Sequence, residues 1–298
     1  MKIGVILPLG DREELGRPFA YSQVRELALQ AEADGLDSVW IYDHLFYHFK
    51  DQEPSGVLEG WTIWTALADA TTRIELGSLV LCTAFRNPAV LAKMAVTLDE
   101  VSGGRIILGL GAGWHQPEFE SFGLSFENKV SRFEEALEII VPLVKKGEVN
   151  FNGKYYSAPH CQMLPRPARE IPVLVASFKP RMLELTAKFA DSWNTAWHGD
   201  VSAIAERREA MLKACDEVER DPATLEVTAG LNVAFPELGS TPDNVGEASK
   251  FLGGGVAEVA AGLKGYADAG VGHVICNLYP LTTTAIEQLG EAAKIARG

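Results

Sequence analysis

The chain has 298 residues, 47% of them hydrophobic and 22% charged, with a formal net charge of −13. This apolar content excludes a disordered chain, and the acidic balance argues against nucleic acid or an anionic membrane as a partner, since both reward clustered Lys and Arg. The N-terminus, MKIGVILPLGDREE, turns acidic after one strand-like run and reads as no signal peptide, and no apolar run reaches the roughly 20 residues of a membrane span, so a cytoplasmic protein is expected.

Short apolar runs alternate with amphipathic stretches from end to end. The periodicity predicts a strand over 2–9 and a helix over 22–34, then 38–42 with 61–71, 74–82 with 88–102, and 105–111 with 131–146. The second half repeats the scheme, pairing strand 171–176 with helix 180–190, 192–196 with 201–220, 226–234 with 255–269, and 273–278 with 283–296. In the first helix Val24, Leu27, Ala28 and Ala31 form one apolar stripe. Strands such as VGHVICNL are apolar nearly throughout, as a parallel sheet covered on both faces requires. Pro88 and Pro180 stand where helices open and a missing N–H costs nothing; Gly35, Gly103 and Gly270 stand where left-handed caps close them.

Eight strand–helix units in strict alternation, with no linker between them, predict one α/β domain over residues 1–298, a (β/α)8 TIM barrel. A doubly wound sheet would carry GxGxxG after its first strand, and PLGDREELGRP lacks it. Extra length follows strands two and four, over 43–60 and 114–130, and precedes strand five, where VNFNGKYYSAP predicts a hairpin turning at Asn-Gly. Loops after strand ends build barrel active sites, which places function at the C-terminal face. The cysteines, Cys82, Cys161, Cys215 and Cys276, are scattered without a CxxC pair and read as buried free thiols.

Asp43-His44 ends strand two in VWIYDHLFYH. A strand-end His beside a carboxylate can orient, donate a proton or titrate near neutrality; equally, such a pair can pin a loop. The six histidines include no His-x-His, and GxSxG and Walker loops are absent. Metal hydrolysis, acyl transfer at a nucleophile elbow and P-loop phosphoryl transfer are therefore not expected, nor is any metal site. After strand four, RIILGLGAGWHQPEFESFG offers a GxGxG backbone that a flat ring can approach, with Trp114 and His115 as aromatic face and polar handle; Trp114 could equally plug the barrel mouth. After strand five, Ser177 and Lys179 precede a helix opened by Pro180-Arg181. Free N–H groups, the helix dipole and two cations there suit a phosphate, or Ser177 serves an ordinary helix start. Trp193, Trp197 and His198 flank the end of strand six, and with Phe46, Tyr47 and Trp114 they imply a broad aromatic cavity, in which Phe46, His115, Trp197 and His198 are the expected substrate contacts. Aromatic walls plus an anion site suit a large, flat, phosphorylated cofactor.

These residues resemble the bacterial luciferase-like monooxygenase superfamily. The resemblance rests on IGVILP, AEADGLDSVWIYDHL, FADSWN and, most specifically, TTRIELGSLVLCTAFRNPAVLAKMAVTLDEVSGGRIILGLGAGW. Within the superfamily it is to the branch that uses the deazaflavin coenzyme F420 as hydride carrier. It implies that His44 lies over the central ring near C5 with Asp43 fixing its tautomer, and that Leu79 and Val80 are joined by a non-proline cis peptide forming a bulge behind the ring. It further implies that Ala112, Gly113 and Trp114 touch the ring and its side chain. Ala176, Ser177, Phe178 and Lys179 fall on a phosphate loop that is usually glycine-rich, with Lys179 and Arg181 partly restoring its affinity. Trp114 replaces the catalytic glutamate of the family's sugar-phosphate dehydrogenases, which argues against that activity.

The implied reaction is hydride transfer between F420 and a small organic substrate, which His44 orients or protonates. The alternative is an FMN-dependent monooxygenase fed reduced flavin by a separate reductase. From other classes come a catalytically silent flavin-binding protein and a non-redox lyase using Asp43 and His44. The resemblance also implies a homodimer.

Overall fold

Strands that are apolar on both faces can be satisfied only between two hydrophobic layers, and eight of them here close on themselves. They are β1 (Lys2–Ile6), β2 (Ser38–Ile41), β3 (Glu75–Ser78), β4 (Ile106–Gly111), β5 (Val173–Ala176), β6 (Ser192–His198), β7 (Glu226–Ala234) and β8 (His273–Tyr279). Each pairs in parallel with its neighbour in sequence, and β8 returns to β1. The helices are α1 (Tyr21–Ala33), α2 (Gly60–Ala70), α3 (Pro88–Ser102), α4 (Gln116–Ser121), α5 (Lys129–Lys145), α6 (Pro180–Phe189), α7 (Ala203–Glu217), α8 (Val256–Asp268) and α9 (Thr283–Arg297). The structure, a computed structural model, describes residues 1–12, 16–239 and 250–298.

This is the (β/α)8 barrel expected from the alternation, with its elaborations where expected. The stretch before β5 folds into an antiparallel hairpin, Glu148–Asn152 with Ser157–Gln162. Helices open on Pro88 and Pro180, and Gly35, Gly103 and Gly270 have φ of 84°, 68° and 76°. The predicted third strand is broken. After β3 the chain turns through Leu79 and Val80, and only Leu81–Cys82 resumes pairing, against β4. Elements not foreseen include the six-residue α4, the ribbon Phe46–Tyr47 with Ser55–Gly56, and a short strand Phe251–Gly253 beside β7. Cys82, Cys215 and Cys276 are buried, Cys161 partly so, and all four are free thiols. No helix among the described residues is long and apolar enough to cross a membrane.

The core has two shells. The larger packs strand residues such as Val5, Leu76 and Leu108 against the helices; the smaller fills the lumen with Ile6, Trp40, Ile107, Leu174 and Ile275, topped by Tyr42, Leu79 and Val80. Trp40 fits into that lumen because its ladder neighbour is Gly77: a Cβ there would sit 2.2 Å from the indole. Gly77→Ala is therefore expected to destabilise by about 1–3 kcal/mol through overpacking, read as a lower urea midpoint with an unchanged slope.

Below Trp40, the Ser38 hydroxyl accepts from the indole N–H at 2.7 Å and bonds His273 Nε2 at 2.7 Å. Burial, helped by the Lys2 charge, lowers the His273 pKa to about 3. Since the unfolded chain takes up this proton near pH 6.5 and the native one does not, stability is intact above pH 6.5 and declines as pH falls toward 3. The decline is about 1.4 kcal/mol per pH unit, hence about 2 kcal/mol by pH 5. His273→Gln is expected to flatten that acid limb in urea unfolding at pH 7 and pH 5; an equal fall in the variant would locate the acid sensitivity elsewhere.

Candidate active site

The C-terminal rim of the barrel gathers the segments after β2, β3 and β4 around Asp43 and His44. Asp43 is 3% exposed. Its carboxylate accepts from both terminal nitrogens of Arg86, at 2.6 and 3.2 Å, and from the Cys82 N–H at 3.0 Å. Arg86 reaches on to Glu59, whose carboxylate also caps α2 by accepting from the Trp61 and Thr62 N–H groups. Burial pushes the Asp43 carboxyl above its ordinary value, against the pull of Arg86. Burial opposes the Arg86 charge too, but Asp43 and Glu59 outweigh it and hold the guanidinium above its usual value. The bidentate contact makes the two an ion pair.

The partner of His44 is therefore not Asp43, as expected from the dipeptide, but Glu118. His44 Nδ1 lies 2.7 Å from Glu118 Oε1, while Glu118 Oε2 accepts from the Leu45 N–H at 2.5 Å. Glu118 is 1% exposed and sits in the first turn of α4, opposite the turn that carries His44. A carboxylate that only accepts assigns the imidazole proton to Nδ1 and leaves Nε2 as the free nitrogen. The signal for Glu118 was present in Gln116-Pro117-Glu118, a proline and an acid in sequence, as at a helix start.

Around His44 stand Tyr47 at 4.5 Å and Trp114 at 5.4 Å between ring centroids. Successive residues of a strand face opposite ways, so the short ribbon Phe46–Tyr47 turns Tyr47 to His44 and sends Phe46 to His115 and Phe122. Tyr47, not the expected Phe46, faces the site, and burial pushes its phenol well above the ordinary value, keeping it neutral. His115 is no substrate contact either. It is 4% exposed, its Nε2 accepts from the His48 N–H at 2.9 Å, and burial holds its pKa down, so it pins the aromatic loop. Trp114 is no plug, being 56% exposed.

The Leu79-Val80 bond is cis, as the resemblance implied, and Val80 packs over Gly111 with no room for a side chain there. Ala112 packs on the core, and Gly113, at φ 78°, leaves a gap that a Cβ could not share with Phe119 and Cys82.

Beyond β5 the expected phosphate loop is partly rearranged. Ser177 is buried, its hydroxyl bonded to Thr186 Oγ1 at 2.7 Å, and so turns into the fold. Arg181 binds Glu134 at 2.7 Å and Ser131 at 3.0 Å on α5, which neutralises it on the barrel flank. The cations that do converge are Lys179 and Arg207, from α7, at 5.5 and 5.8 Å from the ring centre of exposed Phe178, which follows Ala176 and Ser177. Arg207 lay too far along the chain for local spacing to couple it to Lys179. Trp197, 40% exposed, lies across Gly230, and its bond to Ala196 is cis. His198 is instead 6% exposed and bonded to Thr195 at 3.0 Å, so it is no substrate contact. Burial, then the Arg207 charge, holds its pKa down.

A cavity of about 190 Å³ opens among Ile6, Pro8, Tyr42, Tyr47, Asn277 and Leu281 at this rim. A larger one, about 470 Å³, lies at the opposite rim beside Arg208, Leu225 and Gly272, remote from this chemistry. Among the described residues, no group of three or more His, Cys, Asp or Glu side chains is arranged to hold a metal.

The luciferase-like monooxygenase family matches residues 1–247. The chain belongs to that family. Among the relatives of this luciferase-like protein is an F420-dependent glucose-6-phosphate dehydrogenase of Kineococcus radiotolerans, 30% identical over 86% of this chain and 87% of that one. A pyrimidine monooxygenase of Methylorubrum extorquens is 29% identical over 90% of this chain and 76% of its own. An F420-dependent secondary alcohol dehydrogenase structure superimposes with a TM-score of 0.80 over 100% of this chain and 99% of that one, at 19% identity, which supports the fold.

Proposed function

We propose that this luciferase-like protein is an oxidoreductase that uses F420 to move a hydride to or from a small organic substrate, with His44 as the proton carrier. The observation that supports it most is the buried Glu118 carboxylate on His44 Nδ1, which leaves Nε2 for a bound substrate. A relative named as F420-dependent, similar along nearly the whole chain, favours the deazaflavin over FMN.

The rim fits such a coenzyme. Leu79 and Val80, the latter packed over Gly111, offer an apolar seat over the lumen, and Lys179 with Arg207 supplies cations for an anionic tail. When bound, the deazaflavin supplies or accepts the hydride at C5. In reduction, the protonated His44 gives its Nε2 proton to the carbonyl oxygen; in oxidation, neutral Nε2 takes the hydroxyl proton. Glu118 stabilises the imidazolium and fixes its orientation, while Tyr47 and Trp114 shield it from water.

The second reading, a monooxygenase, is favoured by the likeness to the pyrimidine monooxygenase. Dioxygen separates the two. Under argon, reduced F420 is expected to be oxidised by a panel of ketones and aldehydes as fast as in air. Turnover confined to air would replace hydride transfer by the monooxygenase reading.

A further inference from the structure

The rings beside His44 belong to a larger surface. Tyr47, Phe49 and Trp114 stack on one another: Tyr47 and Phe49 are 12° from parallel at 5.9 Å, Phe49 and Trp114 23° at 6.3 Å, and Tyr47 and Trp114 29° at 6.5 Å. Although stacked, Trp114 keeps 56% and Phe49 44% of its surface in solvent. Large apolar groups left in water beside a reactive residue mark a place that a ligand covers. The stack is also held in advance, by the His48 N–H on His115 Nε2 and the Leu45 N–H on Glu118, so little ordering is needed on binding. Among the described residues no Lys or Arg lies over these three rings, in contrast to Phe178, which has two cations.

We infer that the substrate carries a flat, uncharged, apolar group, as in an aryl or conjugated ketone or the matching alcohol. That group, in place of the coenzyme ring that the resemblance sets against Trp114, lies against Tyr47, Phe49 and Trp114, with its oxygen at His44 Nε2. The chemistry of this assignment rests on the hydride-transfer reading: the carbonyl carbon gains the hydride of the reduced deazaflavin, the oxygen gains the His44 proton, the ketone is reduced and the coenzyme oxidised. The binding itself does not rest on it.

Calorimetric titration with acetylnaphthalene, its saturated analogue acetyldecalin, and glucose 6-phosphate, with and without oxidised F420, tests the assignment. The aryl ketone is expected to bind about tenfold more tightly than the saturated one in at least one of the two preparations. Trp114→Ala and Phe49→Ala are each expected to erase most of that preference; both positions are exposed, and circular dichroism confirms the fold. Equal affinity for the two ketones, tighter binding of the sugar phosphate, no binding of the aryl ketone, or an unchanged preference in both variants overturns the inference. If F420 itself does not bind, the hydride-transfer reading fails while the comparison of the two ketones still decides this one.

Discussion

Replacing His44 by alanine lowers turnover by about 10²–10⁴-fold, the usual worth of a positioned acid–base group. The side chain stands at the rim, 14% exposed and outside the packed core, and the loss falls on kcat. Glu118→Gln is the more telling variant, because it keeps the shape and changes only the hydrogen-bond polarity. If the Gln oxygen accepts from Leu45, its NH2 faces Nδ1 and moves the imidazole proton to Nε2; if it accepts from Nδ1, its NH2 opposes the Leu45 N–H. Either arrangement removes the carboxylate that steadies the imidazolium. A loss in kcat of at least about 10²-fold is expected, with an altered pH profile and nearly unchanged KM. A pH profile identical to that of the unaltered enzyme would mean that Glu118 serves the loop alone.

Arg86→Met destabilises the fold by about 3–5 kcal/mol, the cost of leaving one member of a buried pair without its partner. The stranded group is Asp43, whose side chain is 0% exposed and would keep only the Cys82 N–H. Because Arg86 also ties Glu59 to the site, α2 and the loop after β3 loosen together. Adding Asp43→Asn to Arg86→Met removes the stranded charge and is expected to recover a large part of the loss in urea unfolding. A double variant no more stable than the single one would show that packing, and not the charge, is what Arg86 contributes.

The barrel was legible because each unit is long and strongly periodic, and because the turns carry proline and glycine where caps need them. Pro88 and Gly103 bound α3 to the residue. What stayed hidden depends on contacts across the chain or on geometry that spacing does not encode. Asp43 and His44 are adjacent, yet the first turns to Arg86, 43 residues on, and the second to Glu118, 74 residues on. α4 is six residues long, too short to display a period. Arg181 and Arg207 are both cations near a strand end, but α6 turns the former toward Glu134 while α7 brings the latter to Phe178. Likewise Phe46 and Tyr47 are indistinguishable aromatics in sequence, and only the pairing of Phe46 with Gly56 and of Tyr47 with Ser55 sets which one meets His44.

Which coenzyme binds at the rim above Leu79 and Val80, beside His44, decides between hydride transfer and oxygenation. Equilibrium titration of the apoprotein with F420 and with FMN under the same conditions measures this directly. Micromolar or tighter binding of F420, with FMN bound far more weakly, is the result expected of a deazaflavin oxidoreductase. Micromolar binding of FMN with none of F420 would contradict it.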